Sequence, residues 1–437
     1  MISFPYRKSG LLRPLMLSGF LAVGLGSMPW PVHADVMAFW RAVDTAQARN
    51  PQIHRSEALL RAAREENPKA FAKLLPQVNL RAQKVIDSGT HYKTLGTQEH
   101  GKPETVTLSF DQVLFNAPAW LNHDEKSDVH VEAAFADALA MRQDITLRVA
   151  TVASNWLQAK EVLDLAVQYQ KVTKHHLEEN RLRLEAGEST QTDLEQAASR
   201  AHQADASYHD ALLTLEKEAA FFREVVGEFP DANLTLPDYA WQAPSDLDAH
   251  IWQWIEDRPE IWAARARLKE TTVSESMERS GHLPAVNLNY TLSRTWDAEL
   301  GSTSGRSIKE DEFAHSLSVI MTLPVFNGLE TVSKTREAKA MKEASNAELD
   351  RLRSLGRREV EEALFDLKDN KRAIASLEKA LGFSERASAG LEESFLAGTR
   401  TLMDLLDSQF EVFTLRTNLV RHRYQAQLAL LRVWKGL

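Results

Sequence analysis

The chain's most chemically suggestive side chains are one arginine and two aspartates, Arg400, Asp404 and Asp407, which closely follow Gly398. A glycine suits the end of one helix, and a threonine or aspartate just beyond it can cap the next helix. Carboxylates gathered around a narrow axis have a different chemistry, because such a ring binds and selects cations. Capping accounts for the glycine and one aspartate, and it leaves Arg400 and the second acid unexplained.

The sequence contains no recognisable catalytic or cofactor-binding motif. The pair His175 and His176 lies near two glutamates, but the spacing differs from that of a zinc-protease helix and indicates a solvated charged face. The glycine-rich segment 301–305 lacks a nucleophile elbow, because Thr303 occupies the serine position. Phosphate-binding loops and dinucleotide fingerprints are also missing from the sequence. We therefore predict a protein that is not an enzyme and needs neither a metal nor another cofactor.

The composition of the 437-residue chain excludes several other classes of protein. Its 52 basic and 61 acidic side chains give a net charge of −9, which argues against a nucleic-acid-binding protein. The absence of cysteine excludes disulfides, thiolate metal sites and a lipid anchor attached to cysteine. The apolar run at 15–25 follows basic residues, precedes a small-residue pattern ending at Ala34, and is short for a membrane span. We predict that residues 1–34 are a signal peptide and that the protein is exported.

The remaining chain contains the same half twice. The motif at 75–80, Leu-Pro-Gln-Val-Asn-Leu, recurs at 283–288 as Leu-Pro-Ala-Val-Asn-Leu, an offset of 208 residues. Gly187 and Asp193 recur as Gly398 and Asp404 at an offset of 211 residues. We predict a first structural repeat over 35–243 and a second over 244–437. Each repeat is expected to run helix, two strands, very long helix, turn and helix.

The spacing of apolar residues and prolines predicts which elements form. Apolar and polar residues alternate at 105–111, 286–293 and 316–323, which is typical of strands with one apolar face. Two blocks of about 110 residues without proline favour very long helices. Within them, apolar residues recur every seven positions, which indicates packing in the manner of a coiled coil. The predicted fold class is α+β and mostly α, with four strands per chain.

The number of strands bears on the oligomeric state. Four strands are too few to close a membrane barrel, and an open sheet would leave unpaired backbone groups in lipid. If these are membrane strands, three chains would supply 12 strands, which lies in the observed range for barrels. Two chains would supply eight strands, and a barrel of that size is filled by side chains. The strand count therefore favours a trimer with a shared 12-stranded barrel.

Several motifs resemble the TolC family of outer-membrane efflux and type I secretion channels. They are the tandem repeat, the Leu-Pro-x-Val-Asn-Leu strand starts, the segment Leu-Pro-Val-Phe-Asn-Gly at 323–328, and Gly-Thr-Arg-Thr-Leu-Met-Asp-Leu-Leu-Asp at 398–407. The resemblance implies a homotrimer with a barrel in the outer membrane and a coiled-coil helical tunnel across the periplasm. It implies a passive exit duct that works with a periplasmic adaptor and an inner-membrane ABC or proton-driven pump. No nucleic-acid partner is expected.

The resemblance also implies where the duct closes. It assigns the periplasmic gate and its network to five residues, Asp404, Asp407, Arg400, Thr192 and Asp193. It places Gly187 and Gly398 in the turns at the tip of the tunnel. In the best-known members of the family, the aromatic residue three positions before the second of these glycines is a tyrosine, whereas this chain has Phe395, which has no hydroxyl to offer the closed-state network.

Two further expectations concern the membrane boundary and the alternative function. Phe115, Trp120 and Phe326 lie where strands meet long helices, which is the expected depth of an interfacial aromatic belt, although ordinary core packing explains them equally. The alternative function is a periplasmic coiled-coil adaptor or scaffold without a membrane barrel. Two equivalent halves with strands between helices disfavour an adaptor, which has one helical hairpin. The sequence leaves open whether the cargo is protein, drug or metal.

Overall fold

The computed structural model describes residues 36–86, 89–91, 98–100, 104–237, 247–300 and 308–436. The predicted signal peptide at 1–34 and the predicted repeat boundary between residues 243 and 244 lie outside these ranges. Among the described residues, the two halves carry equivalent helices and strands in the same order, as the repeat predicts.

The first half contains three short helices, two long strands around a short hairpin, and two long helices. In chain order they are α1 (Val36–Arg49), α2 (Pro51–Arg64), α3 (Glu66–Ala72), β1 (Gln77–Lys84), β2 (Gly89–His91), β3 (Gln98–His100), β4 (Glu104–Asn116), α4 (Ala117–Glu185) and α5 (Gln191–Val226). The short hairpin formed by β2 and β3 was not predicted from the sequence.

The second half repeats this order without the short hairpin. Its elements are α6 (Leu247–Glu256), α7 (Pro259–Arg279), a 3-10 turn at Ser280–His282, β5 (Ala285–Leu300), β6 (Ile308–Thr322), α8 (Glu330–Leu396) and α9 (Leu402–Gly436). The 69 residues of α4 correspond to a helix of about 100 Å. The prediction of a very long helix in each half is therefore confirmed.

Proline marks the start of equivalent helices in the two halves. Pro51 begins α2, and the side chain of Asn50 accepts a hydrogen bond from the backbone N–H of Gln52. Pro259 begins α7 after Arg258, which makes no side-chain cap. Proline suits the first helical position because its fixed φ matches the helix and its missing N–H would be unpaired anyway.

The four long strands form one antiparallel sheet in the order β1-β4-β5-β6. Strand β4 of the first half pairs with β5 of the second, with Phe110 opposite Tyr290. The amide of Asn289 donates a hydrogen bond to Asp111 across the same pair. The sheet therefore joins the two halves and has its free edges at β1 and β6.

The helical body has a core in each half. The larger cluster joins α1, α4 and α5 and includes Phe39, Val43, Ile145, Val149 and Phe222, all at most 3% exposed. A smaller cluster joins α6, α7 and α8 through residues that include Ile251, Ile255, Ile261 and Val360. None of the helices in the described ranges combines the length and apolar character that a membrane-spanning helix requires.

Candidate functional site

The four longest helices meet at one end of the molecule, which we call the tip. Helices α4 and α5 form the first hairpin, and α8 and α9 form the second hairpin. Their apolar side chains pack into one small tip core, made of Leu177, Ala197, Leu391, Phe395, Leu402, Leu405 and Leu406. Because each of the four helices contributes to this core, the two hairpins are held side by side at the tip.

The first tip turn, residues 186–190, connects α4 to α5. Gly187 has a φ of +79°, in the left-handed region that favours glycine. The N–H of Glu188 donates to the carbonyl of Arg183 at 2.8 Å, and the N–H of Gly187 donates to the carbonyl of Leu184 at 3.0 Å. These two bonds are the Schellman arrangement that closes a helix C-terminus, and Gly187 lies in the turn between α4 and α5.

The second tip turn, residues 397–401, has the same backbone. Gly398 has a φ of +73°. The N–H of Thr399 donates to the carbonyl of Ser394 at 2.9 Å, and the N–H of Gly398 donates to the carbonyl of Phe395 at 3.0 Å. Both repeats therefore stop their long helix with the same glycine-based motif.

Each tip turn is followed by a capping box that starts the next helix. Thr190 caps α5 by accepting from the N–H of Asp193 at 3.2 Å, and the Asp193 carboxylate accepts from the N–H of Thr190 at 3.3 Å. Thr401 and Asp404 form the same reciprocal pair at 3.2 and 3.3 Å. The two threonines were missed as functional residues, although the spacing Thr-x-x-Asp is a capping-box signature.

The carboxylate of Asp404 also accepts a hydrogen bond of 2.9 Å from the hydroxyl of Thr401. The hydroxyl and then the backbone N–H of Thr401 lower the pKa of Asp404, slight burial opposes them, and the charge of Arg400 lowers it further. Asp404 is therefore ionised at neutral pH. One of its oxygens, Oδ2, serves the helix cap, and the whole carboxylate contributes negative charge at the tip.

Asp407 lies one turn further along α9 and takes no part in the tip turn. Its carboxylate forms an ion pair with Arg200 on α5. The Arg200 side chain is 20% exposed, whereas that of Asp407 is 55% exposed. The structure therefore brings one predicted gate residue together with a partner that the sequence did not single out.

The other predicted gate residues are not joined within one chain. Arg400 and Thr192 are both exposed, and Asp193 is engaged in its capping box. Across the described part of the chain, no hydrogen bond links Arg400 to Thr192 or Asp193.

Phe395 has a contact of its own in place of the hydroxyl bond. Its ring is 9% exposed, and the guanidinium of Arg183 lies 4.5 Å from the ring centroid. Arg183 also donates to Glu179 at 2.7 Å. A cation–π contact therefore connects the two hairpins at Phe395.

The predicted boundary aromatics lie at the opposite end, where the sheet meets the helices. Phe115 occupies the end of β4 and is 38% exposed, and Phe326 follows β6 and is 80% exposed. Trp120 lies in the first turn of α4, and its side chain is outside the described part of the structure. Their role as an interfacial belt stays a prediction.

The predicted solvated face holds for His175, which is exposed, and is wrong for His176. His176 is buried, with Nε2 at 3.0 Å from the amide nitrogen of Gln409 and Nδ1 at 3.4 Å from Glu179. Within the described ranges, no group of three or more histidine, aspartate or glutamate side chains is arranged to hold a metal ion.

Known proteins match this architecture along almost the whole chain. A family model described as outer membrane efflux protein matches residues 42–228 and 251–435. The outer membrane protein TolC of Vibrio cholerae is 25% identical over 432 residues, with 97% of this chain and 95% of the relative covered. The proteases secretion protein PrtF of Dickeya chrysanthemi is 25% identical over 333 residues, with 73% and 69% covered.

A solved structure shares the fold. The outer-membrane channel OprN superposes with a TM-score of 0.76 at 20% identity, covering 92% of this chain and 90% of that one. The predicted resemblance and the mostly helical tandem-repeat fold are thereby confirmed. The predicted location in the outer membrane, with an extension into the periplasm, is confirmed as well. The chain belongs to the outer membrane efflux protein family, and its function is that of an outer-membrane export channel.

Proposed function

We propose that three copies of the chain form one duct, with their sheets closed into a 12-stranded barrel. The free edges at β1 and β6 support this proposal, because closure would pair them. Strand β6 also carries Leu317, Val319 and Met321, which are 68%, 64% and 65% exposed in a single chain and suit contact with lipid. Heat-resistant trimers in outer-membrane fractions, with channel activity in planar bilayers, are the expected result. A soluble periplasmic protein would contradict it.

The gate of this duct is assigned to the tip. Three-fold symmetry would gather Asp404 and Asp407 of three chains, six carboxylates in all, around one narrow axis, where they would select and bind cations. The observation that carries this assignment is the position of Asp407. It is an exposed acid at the tip that the turn does not need, and the equivalent residue of the first repeat is the uncharged Gln196.

Arg400 completes the proposed gate between chains. Its side chain is exposed in the second tip turn, and Thr192 is exposed just after the first tip turn. We assign the contact of Arg400 with Thr192 and Asp193 to the boundary between neighbouring chains of the trimer. In that place it would hold the closed ring without competing with the capping boxes inside each chain.

The gate is tested by removing the carboxylates without changing side-chain size. The double variant Asp404→Asn with Asp407→Asn should raise the concentration of La³⁺ that half-blocks the channel by about tenfold or more, because the cation loses its charged ligands. Thr401→Ala is the control, since it weakens the capping box of α9 and leaves the acids at 404 and 407 intact. Unchanged La³⁺ block in the double variant would refute the gate.

The partners and cargo are proposed from the relatives. PrtF is named as a protease secretion protein, and this chain carries the Gly-Thr-Arg-Thr segment at 398–401 that resembles the type I secretion branch. We therefore favour an exit duct for protein secretion that works with a periplasmic adaptor and an ABC exporter. Drug or metal efflux with a proton-driven pump is the alternative. Reading frames for an ABC exporter and an adaptor beside this gene would support secretion, and a proton-driven pump there would favour efflux.

A further inference from the structure

The ion pair between Arg200 and Asp407 crosses from one hairpin to the other. Arg200 lies on α5 of the first hairpin, and Asp407 lies on α9 of the second, 207 residues away in the chain. Most other ion pairs near the tip stay inside one hairpin or one helix. Arg416 and Glu385, for example, join α9 to α8 within the second hairpin at 2.7 Å. The pair at 407 therefore opposes any movement of one hairpin away from the other.

Arg200 makes further contacts besides its ion pair with Asp407. Its Nη1 donates to Gln203 at 3.1 Å, and its guanidinium lies 5.8 Å from the ring centroid of Phe410. Phe410 contacts Tyr169 on α4, whose ring stacks on Phe413 at 4.8 Å. Arg200 thus lies beside an aromatic cluster built from both hairpins, with its guanidinium paired to Asp407.

The charges of Arg200 and Asp407 both reach this aromatic cluster. Burial raises the pKa of the Tyr169 hydroxyl, the charge of Arg200 lowers it, and the charge of Asp407 raises it. The two charges therefore act on Tyr169 in opposite directions, as expected for an ion pair beside a half-buried ring. This agrees with the geometry in placing the pair against the contact between the hairpins.

Only one repeat provides the charges for this pair. At the offset of 211 residues, the counterpart of Arg200 is Glu411, and the counterpart of Asp407 is Gln196. An acid and an amide cannot form the same ion pair. The repeat creates two equivalent positions for such a pair between α5 and α9, and the ion pair forms at only one of them. Packing of these helices therefore does not require an ion pair at both.

We infer that Arg200 is a positioning residue of the gate, which ties Asp407 to the first hairpin and offsets its charge in the closed duct. This inference rests on the proposed gate at Asp404 and Asp407. Because the pair spans the two hairpins, an opening that separates the second hairpin from the first would break it. Until the pair breaks, a guanidinium lies beside each Asp407. The ring then binds cations less tightly than six carboxylates without cationic neighbours would bind them.

The test compares conductance and cation block in planar bilayers. Arg200→Gln should raise the time-averaged conductance by up to about fivefold, because a surface ion pair contributes an equilibrium factor of that size. It should also lower the half-blocking La³⁺ concentration by up to about fivefold, because Asp407 loses its cationic neighbour. Arg200→Lys should give intermediate values of both. Arg416→Gln is the matched control, since it breaks an ion pair within one hairpin and should change neither value.

A double-variant cycle separates this inference from the gate itself. Asp407→Asn breaks the same pair from the other side and should raise conductance, and adding Arg200→Gln should then have no further effect. Additive increases in conductance would overturn the inference. So would heat-resistant Arg200→Gln trimers with wild-type conductance and block. Loss of trimers in Arg200→Gln, together with unchanged conductance in Asp407→Asn, would mark Arg200 as a folding residue and overturn it too.

The two proposals fail in different ways. If the Asp404→Asn and Asp407→Asn double variant keeps its La³⁺ block, the gate proposal fails whatever Arg200 does. If that variant loses its block and Arg200→Gln leaves conductance unchanged, the gate stands and only the role of Arg200 fails.

Discussion

The two tip turns have the same backbone and different side chains. Gly187 and Gly398 have φ angles of +79° and +73°, and the capping boxes that follow agree within 0.2 Å in every hydrogen bond. The charged residues differ, because the second turn carries Arg400 where the first carries Ser189. The shared residues therefore build the turn, and the residues found in only one repeat are the candidates for gating.

The comparison changes the meaning of Asp404. In the sequence it resembles a gate residue, and in the structure it performs the same capping as Asp193 of the first turn. The Asp404 carboxylate still adds negative charge at the tip. Because capping already explains an acid at this position, Asp404 alone does not indicate a gate. Asp407, which has no task in the turn, carries the stronger argument. Four experiments test whether the two turns are alike in backbone and different in their charged residues.

The largest effect is expected from the turn glycines. Gly187→Ala and Gly398→Ala each place a side chain in the left-handed region, which costs about 1 to 2 kcal/mol. Hydrogen exchange of the amides at 184–190 or 395–401 should accelerate by about fivefold to thirtyfold. The two variants should behave alike, and a large difference between them would break the equivalence of the turns.

A smaller and again equal effect is expected from the capping threonines. Thr190→Ala and Thr401→Ala each remove the side chain that caps the following helix, at a cost of about 1 kcal/mol. Hydrogen exchange in the first turns of α5 and α9 measures this cost directly. Thr192→Ala is the control, because Thr192 follows the first cap and makes no capping bond. Fraying in only one of the two helices would contradict the prediction.

The third experiment tests the difference between the repeats by adding an acid to the first one. Gln196→Asp gives the first repeat the residue that Asp407 provides in the second. If the tip gathers three chains around an axis, the three new carboxylates should lower the half-blocking La³⁺ concentration by about threefold. Gln196→Asn is the neutral control. An unchanged block would show that position 196 lies away from the cation path.

The smallest effect concerns acid and Arg400. The pKa of Asp404 is lowered from 3.8, so its capping contribution is complete above pH 3.8 and is lost as the pH falls through the lower folded value. Arg400→Gln removes one cause of the lowering, so the loss of protection at the start of α9 should begin at a slightly higher pH. Hydrogen exchange between pH 2.5 and 5 tests this, and a shift to lower pH would contradict it.

The sequence predicted those features that depend on local residue order. The glycines at both tips, the long helices and the two halves were all visible, because helix ends and proline-free blocks leave local patterns. The capping boxes were equally readable from the Thr-x-x-Asp spacing at 190–193 and 401–404, and capping was considered beside gating for one of the acids.

Features that depend on distant pairing were not predictable in this way. Arg200 and Asp407 are separated by 207 residues, and Arg183 reaches Phe395 only after both long helices have packed. Neither arginine stands out in its own segment, because a single arginine on a long polar helix is ordinary. Their significance appears only once the tip core fixes which faces of the four helices meet.

The strand order β1-β4-β5-β6 has a consequence for how the chain folds. Its central pair joins residues such as Asp111 and Asn289, which are 178 positions apart, whereas each helical hairpin closes through a turn of a few residues. Local contacts form quickly and distant pairing forms slowly. We therefore expect newly exported chains to acquire their helices first and to wait with unpaired strands until the second half arrives. During that interval, the exposed strands would be the part of the molecule most in need of a chaperone.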